Sequence, residues 1–157
     1  MGLINPGEVF GEMSIIGEEE RTDFATAIDN CLICAISIDD FKNFIEKNQE
    51  LNIKITKLIG FKLKKFSERL EELVFKEAPQ RVISFILNQA KDYGKKVGDD
   101  FFLEPFLTHS DIAKLTACTR QTVNSILTQL REKDIIFFNR RKLIIRDAKK
   151  LEKMINK

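Results

Sequence analysis

The sequence contains no apolar run near the length that a membrane-spanning helix needs. About 20 consecutive apolar residues cross a bilayer, whereas charged residues make up 32% of this chain and are spread along it. The opening residues 1–13 also lack the basic start and the long apolar core of a signal peptide. We therefore expect a soluble, globular, cytoplasmic protein with no membrane segment.

Cysteine and histidine are scarce as well. Three cysteines in a chain without an export signal argue against a disulfide framework. Cys31 and Cys34 form a C-x-x-C, but the surrounding CLICAISI predicts a buried strand, on which this spacing directs the two thiols to opposite faces. His109 is the only histidine and lies at a helix start with no nucleophile constellation around it, so we expect neither a metal site nor an enzyme.

The formal net charge of +2 conceals a gradient along the chain. Residues 1–50 carry 3 Lys/Arg against 11 Asp/Glu, whereas residues 101–157 carry 12 against 6. A sensing or docking half joined to a nucleic-acid-binding half has this asymmetry, although a solvated surface can acquire it by chance.

The first half of the chain predicts strands at 24–28 and 31–38, then a short helix that begins after Ser37 or Asp39. A long helix follows from Leu51 to about Phe75. Its apolar residues alternate at spacings of four and three, at Leu51, Ile55, Leu58/Ile59, Leu63, Phe66, Leu70 and Leu73. A seam this narrow favours a homodimer joined through the helix, the alternative being a core helix of one small domain.

Pro79 ends the long-helix pattern but fits the first turn of the next helix, so we expect a hinge at residues 76–79. That next helix should stop at Gly94. A short strand at 101–105, two helices around a tight turn at 117–119, a hairpin at 135–146 and a final helix follow. Thr108 and Thr119 are the expected caps of the two helices, and small residues at Ala113 and Ala117 should let those helices cross closely. This is the layout of a winged helix-turn-helix.

The second helix of the pair carries short polar side chains opposite its apolar stripe. Val123, Ile126 and Leu130 form the apolar side, and the polar side holds Arg120, Gln121, Asn124 and Ser125, residue types that hydrogen-bond to base edges in the major groove. Hydroxyls near the helix starts suit phosphate oxygens, namely Thr108, Ser110, Thr119 and Thr122. Arg140, Arg141 and Lys142 at the hairpin tip add attraction to the DNA backbone.

The segment 107–136, LTHSDIAKLTACTRQTVNSILTQLREKDII, resembles the helix-turn-helix of the Crp/Fnr family of bacterial transcription regulators. Residues 7–27, GEVFGEMSIIGEEERTDFATA, are similar to that family's phosphate-binding cassette. The resemblance implies an α+β fold with a partial cyclic-nucleotide-binding β-roll at 1–50, a dimerisation helix at 51–76 and a winged helix-turn-helix DNA-binding domain at 78–157. Because the family's barrel normally begins some tens of residues earlier, it also implies an N-terminally truncated sensor.

The family's known sites imply roles for particular residues. Gly11 and Glu12 would face the ribose of a cyclic nucleotide, Arg21 and Thr22 would hold its phosphate, and Ser67 would face the base. The implied partners are a second copy of the chain, double-stranded DNA with a palindromic operator, and RNA polymerase. The implied mechanism is an effector-driven reorientation of the DNA-binding domains about residues 76–79. A cyclic nucleotide is the candidate effector, and no cofactor is certain. The alternative is a ligand-binding module whose DNA-binding domain is inactive.

Overall fold

The structure is a computed structural model that describes residues 2–12 and 24–155. In these residues it has six helices and four strands. They run in the order α1 (Ile38–Lys47), α2 (Gln49–Phe75), α3 (Ala78–Tyr93), β1 (Lys95–Val97), β2 (Asp100–Leu103), α4 (His109–Thr116), α5 (Arg120–Glu132), β3 (Ile136–Phe138), β4 (Leu143–Ile145) and α6 (Ala148–Ile155). The chain forms two compact units, one over Leu3–Arg69 and one from Leu70 to the C-terminus.

Local capping determines where the first two helices begin. The Ser37 hydroxyl accepts a hydrogen bond from the Asp40 amide at 3.1 Å, which makes Ser37 the N-cap of α1. The Asn48 side-chain oxygen accepts from the Leu51 amide at 3.1 Å at the start of α2. Both helices therefore begin within two residues of their predicted first residues. Among the described residues, no helix is both long enough and apolar enough to cross a bilayer.

The predicted strands at 24–28 and 31–38 are wrong. The structure has no strand among described residues 24–37, and both Cys31 and Cys34 are exposed rather than buried. An apolar, β-branched segment becomes a strand only when its amides and carbonyls pair with a neighbouring strand. No other segment among residues 2–12 and 24–69 supplies that pairing, so the sequence pattern alone was insufficient.

The second unit contains one antiparallel sheet in the order β1-β2-β4-β3. The predicted hairpin is β3 and β4, with Phe137 opposite Ile144. β2 pairs with the other edge of β4, with Phe102 also opposite Ile144, and so joins the hairpin to β1. The sequence predicts the strand near 101–105 and the hairpin separately, and their pairing is a feature of the tertiary structure.

A single apolar core holds the helices of this unit against the sheet. Its fully buried members come from every layer, with Ile83 on α3, Ile112 on α4, Leu127 on α5, Ile145 on β4 and Leu151 on α6. Burying a side chain of this kind contributes about 1.5–3 kcal/mol. The core therefore fixes the faces that α4 and α5 present to solvent.

Candidate nucleic-acid interface

Helix α5 places its polar and apolar residues on opposite sides, as the sequence predicts. Val123, Ile126, Leu127 and Leu130 are buried in the core. Arg120, Gln121, Asn124 and Ser125, which we call the recognition face, are all exposed. The Thr119 hydroxyl accepts from the Thr122 amide at 3.0 Å and so begins the helix at Arg120. The predicted base-reading residues thus share one solvent-facing surface.

The turn between α4 and α5 is three residues long, from Ala117 to Thr119, and has a specific backbone geometry. Ala117 has the left-handed conformation at φ 51°, and the Cys118 amide donates to the Ala113 carbonyl at 2.9 Å. Ala113 is buried, so a small residue is needed there for close packing. Ala117 is exposed, and the predicted packing role for it is wrong. Its left-handed conformation instead ends α4, and a bulkier or β-branched residue would be strained in that conformation.

The N-terminal end of α4 lies beside α5. The Thr108 hydroxyl caps α4 by accepting from the Asp111 amide at 3.2 Å, while Thr108, Ser110 and Thr119 all remain exposed and Thr122 is half-buried. The backbone amides at the start of a helix carry a partial positive charge that favours phosphate. The predicted phosphate-binding hydroxyls are therefore grouped at the two helix starts.

His109 touches the recognition face, a contact that the sequence analysis missed. Its ring meets Phe138 of β3 edge-on with 5.4 Å between centroids, and Arg131 lies over the same phenyl ring at 5.1 Å. Burial and the nearby Arg120 charge lower the pKa of His109, against a hydrogen bond with the Asn124 side chain that raises it. The imidazole is thus held among Arg120, Asn124 and the β3 strand.

The hairpin β3–β4, which we call the wing, has a tip closed by hydrogen bonds. The Asn139 side-chain oxygen accepts from the backbone amides of Arg141 and Lys142 at 2.8 and 3.0 Å. The Arg140 and Arg141 side chains are exposed, and Lys142 is half-buried. Asn139 shapes the turn, which leaves the two arginines available for a polyanion.

The predicted effector residues are only partly described. Gly11 and Glu12 are half-buried, with Gly11 at φ 78°, a value that favours glycine. Arg21 and Thr22 lie outside the described residues. Ser67 is exposed on α2. The structure therefore describes three of the five predicted effector residues, Gly11, Glu12 and Ser67.

Glu12 has a partner on α2, Lys62, that the sequence does not predict. Lys62 of α2 donates to the Glu12 carboxylate at 2.6 Å and to the Val9 carbonyl at 2.9 Å. Burial alone would raise the pKa of Glu12, but the Lys62 hydrogen bond, the residue's own backbone amide and the Lys62 charge together lower it. Glu12 is consequently a paired carboxylate next to the long helix.

Two family models match the chain. The model of the Crp-like helix-turn-helix domain matches residues 80–154, and the model of the cyclic nucleotide-binding domain matches residues 1–48. Within the described residues, no group of three or more His, Cys, Asp or Glu side chains could hold a metal ion.

Curated relatives align with nearly the whole chain. The CRP-like cAMP-activated global transcriptional regulator of Mycobacterium tuberculosis is 26% identical over 149 residues, which are 95% of this chain and 66% of that protein. The cyclic AMP receptor protein of Thermus thermophilus is 27% identical over 154 residues, 98% of this chain and 68% of that protein. The chain thus spans about two thirds of the length of these relatives.

A solved structure shares the fold. A mutant of CooA from Carboxydothermus hydrogenoformans matches with a TM-score of 0.69 and 31% identity, over 75% of this chain and 55% of that chain. The Mycobacterium tuberculosis relative is named as a transcriptional regulator and not as an enzyme. With its α+β fold, the matches at both ends and relatives that align along its length, the chain belongs to the Crp/Fnr family of transcription regulators.

Proposed function

We propose that this protein is a homodimeric regulator that binds DNA at specific sequences through the recognition face of α5. The single observation that carries the proposal is the exposure of Arg120, Gln121, Asn124 and Ser125 above a fully buried apolar side of the same helix. An α-helix fits the major groove, where each base pair presents a distinct set of donors and acceptors. The chain spans about two thirds of the length of its relatives, so their activities support this proposal only by analogy.

Each residue of the recognition face has a chemistry that suits a base. Arg120 at the first turn of α5 can form two hydrogen bonds with a guanine edge, and Gln121 suits adenine. Asn124 and Ser125 are short enough to let the backbone approach the groove. The resemblance to the Crp/Fnr family implies an Arg-Glu…Arg readout, where this chain has Arg120-Gln121…Ser125. We therefore expect a half-site different from that of family members with the Arg-Glu…Arg set.

The backbone contacts come from the surrounding elements. Thr108, Ser110, Thr119 and Thr122 would bind phosphate oxygens beside the two helix starts. Arg140 and Arg141 on the wing would contribute attraction that does not depend on sequence. Because the proposed partner is chromosomal DNA, we propose a cytoplasmic location for the protein. We also propose that it has no enzymatic activity.

The domain assignment and the dimer are also proposals. We assign 1–50 to the sensor, 51–76 to the dimerisation helix and 78–157 to DNA binding. None of the residues of α2 is buried, and its apolar seam includes Leu63 at 65% exposed and Phe66 at 59%. A run of exposed apolar residues along one helix is typical of a partner interface. RNA polymerase is the further protein partner that we propose.

A cyclic nucleotide is our candidate effector. The family model at residues 1–48 supports this proposal, as do relatives whose names describe activation by cyclic AMP. Glu12, which we propose to bind the ribose, is already paired with Lys62 at 2.6 Å. A bound nucleotide would therefore compete for or extend this pair, and so act directly on α2.

Selection from randomised DNA duplexes tests the regulator against its alternative, a ligand-binding module with an inactive DNA-binding domain. We expect enrichment of two inverted half-sites centred about 34 Å apart, since a symmetric dimer places its two recognition helices one helical turn apart. Enrichment of no sequence at either low or physiological salt would reject the regulator and leave the module. A single half-site would reject the dimer. Identical enrichment with and without cyclic AMP would reject that effector.

His109 should make DNA affinity increase as the pH falls. The environment holds the pKa of His109 below its usual value in the free protein, whereas a nearby phosphate favours the cation and raises it. The DNA complex then binds a proton that the free protein does not. The affinity for DNA is therefore highest below the pKa of His109 in the free protein, and the gain is lost as the pH rises through the pKa of His109 in the complex. We expect a gain of about two- to fivefold between about pH 7.5 and 5.5, the strength of an exposed ion pair.

His109→Gln is the matched variant, because it retains a donor for Asn124 but cannot be protonated. As the chain has a single histidine, no other imidazole titrates in this range. Fluorescence anisotropy with the selected duplex at the two pH values measures the ratio. An equal gain for the wild type and for His109→Gln would show that His109 does not face the phosphates.

A further inference from the structure

Arg81 in the first turns of α3 binds two distant parts of the second unit at once. Its Nη1 donates to the Lys76 carbonyl at 2.8 Å, directly after the end of α2. Its Nε donates to the Thr116 carbonyl at 2.9 Å, and its Nη2 donates to the Ala117 carbonyl at 3.1 Å, both at the end of α4. One guanidinium thus connects the junction between α2 and α3 with the turn that precedes α5.

The chemistry of these acceptors explains why an arginine occupies this position. The last carbonyls of a helix have no partner within the helix and carry a partial negative charge, so a cation at a helix C-terminus is favourable. Lys76 directly follows the last residue of α2, and Thr116 is the last residue of α4. Arginine has five donors in a fixed plane and can reach both ends, whereas a lysine ammonium is a single point of charge.

The turn held by Arg81 is the one that directs the recognition face. Ala117 has a positive φ of 51°, and Thr119, two residues later, caps α5. The Cys118 thiol also lies 3.7 Å from Nη2. A displacement of this turn relative to the junction would change the direction of α5, because Thr119, the last residue of the turn, is the cap at which α5 begins.

We propose that Arg81 is a positioning residue that sets the direction of the recognition helix relative to the end of α2. This inference depends on the proposed function, since it concerns how two recognition faces of a dimer meet one DNA duplex. Arg81 does not touch DNA in this proposal. It determines which spacing between half-sites the dimer accepts, while the recognition face determines which bases each half-site contains.

Spacing tolerance separates this role from a purely structural one. Inserting one base pair rotates one half-site by roughly a tenth of a helical turn relative to the other, which a rigid connection resists and a loose one accommodates. We expect Arg81→Gln to lower the preference for the best spacing over its neighbours by about tenfold, the effect of losing charge-assisted hydrogen bonds. The base preference within each half-site should remain unchanged.

The experiment compares the full-length wild type, Arg81→Gln and Arg81→Lys on duplexes whose two selected half-sites differ only in spacing. Arg146→Gln is the control, an arginine of the same unit whose ion pair with Asp134 is long, at 3.6 Å. Should Arg81→Gln not fold, Arg81→Lys retains the charge but cannot span the three carbonyls. Wild-type spacing preference in a folded Arg81 variant would overturn the inference.

A measurement on the unmodified protein covers the case in which neither variant folds. The Arg81 Nε proton, bound to the Thr116 carbonyl, should exchange with solvent at least about tenfold more slowly than that of Arg146 in NMR spectra. Equal exchange rates would overturn the connection itself. If the wild type selects no sequence at all, the proposed function fails, whereas sequence selection with unaltered spacing in the variants rejects only the role of Arg81.

Discussion

Arg120→Ala should lower the preference of the protein for its best half-site over a half-site mutated at one guanine by about 5- to 150-fold. This is the discrimination of about 1–3 kcal/mol that a bidentate contact with a base supplies. Arg120 is exposed at the first residue of α5 and makes no ion pair among the described residues. Its removal should therefore leave the fold intact and affect only the readout of the base.

Arg141→Ala provides the contrast for this experiment. A residue that binds a phosphate weakens all sequences alike and lowers the dependence of log affinity on log salt by about one unit. Anisotropy titrations of both variants against matched and mutated duplexes, at two salt concentrations, distinguish the two roles. A uniform loss for Arg120→Ala, equal to that of Arg141→Ala, would mean that Arg120 contacts the backbone and that the readout lies elsewhere on α5.

Leu127→Ala should destabilise the second unit by about 2–5 kcal/mol, which is the cost of removing a buried leucine and leaving a cavity. Leu127 is 0% exposed and lies where α5 meets the core. A domain of ordinary stability has about 5–15 kcal/mol in total, so a large share of it would disappear. The recognition face would lose its support without the loss of any residue that touches DNA.

Urea unfolding monitored by tyrosine fluorescence measures this effect. Tyr93 is the only tyrosine of the chain and lies in the second unit, and the chain has no tryptophan whose emission would mask it. Leu32→Ala is the control, since Leu32 is 97% exposed in the other unit and surface changes usually stay within about 0.5 kcal/mol. A midpoint for Leu127→Ala equal to that of Leu32→Ala would contradict the packing of α5.

The features that the sequence predicted correctly depend on neighbouring residues. Thr108 and Thr119 cap their helices through amides three residues away, and the spacing of Val123, Ile126, Leu127 and Leu130 identifies the buried side of α5. Capping and helical periodicity act within one or two turns, so a linear pattern contains them. The recognition face followed from the same periodicity.

The features that the sequence missed join residues far apart in the chain. Arg81 meets Thr116, Glu12 meets Lys62, and His109 meets Phe138. From the sequence alone, each of these residues could equally be an ordinary solvent-exposed side chain. The one local indication for Arg81 was its position as a charged residue next to the apolar Val82 and Ile83, which are buried. No local sequence pattern identified the carbonyls that Arg81 binds.

Sequence alone determined that this protein has a helix pair with a polar face turned outward, a wing after it and a long helix with an apolar seam, because these depend on periodicity and caps. Tertiary structure decided which strands exist, since residues 24–37 required a pairing partner and β2 found one in β4. It also decided that Arg81 spans the ends of two helices. The physical reason is that hydrogen bonds between distant segments depend on where the core brings those segments, and no local pattern specifies that.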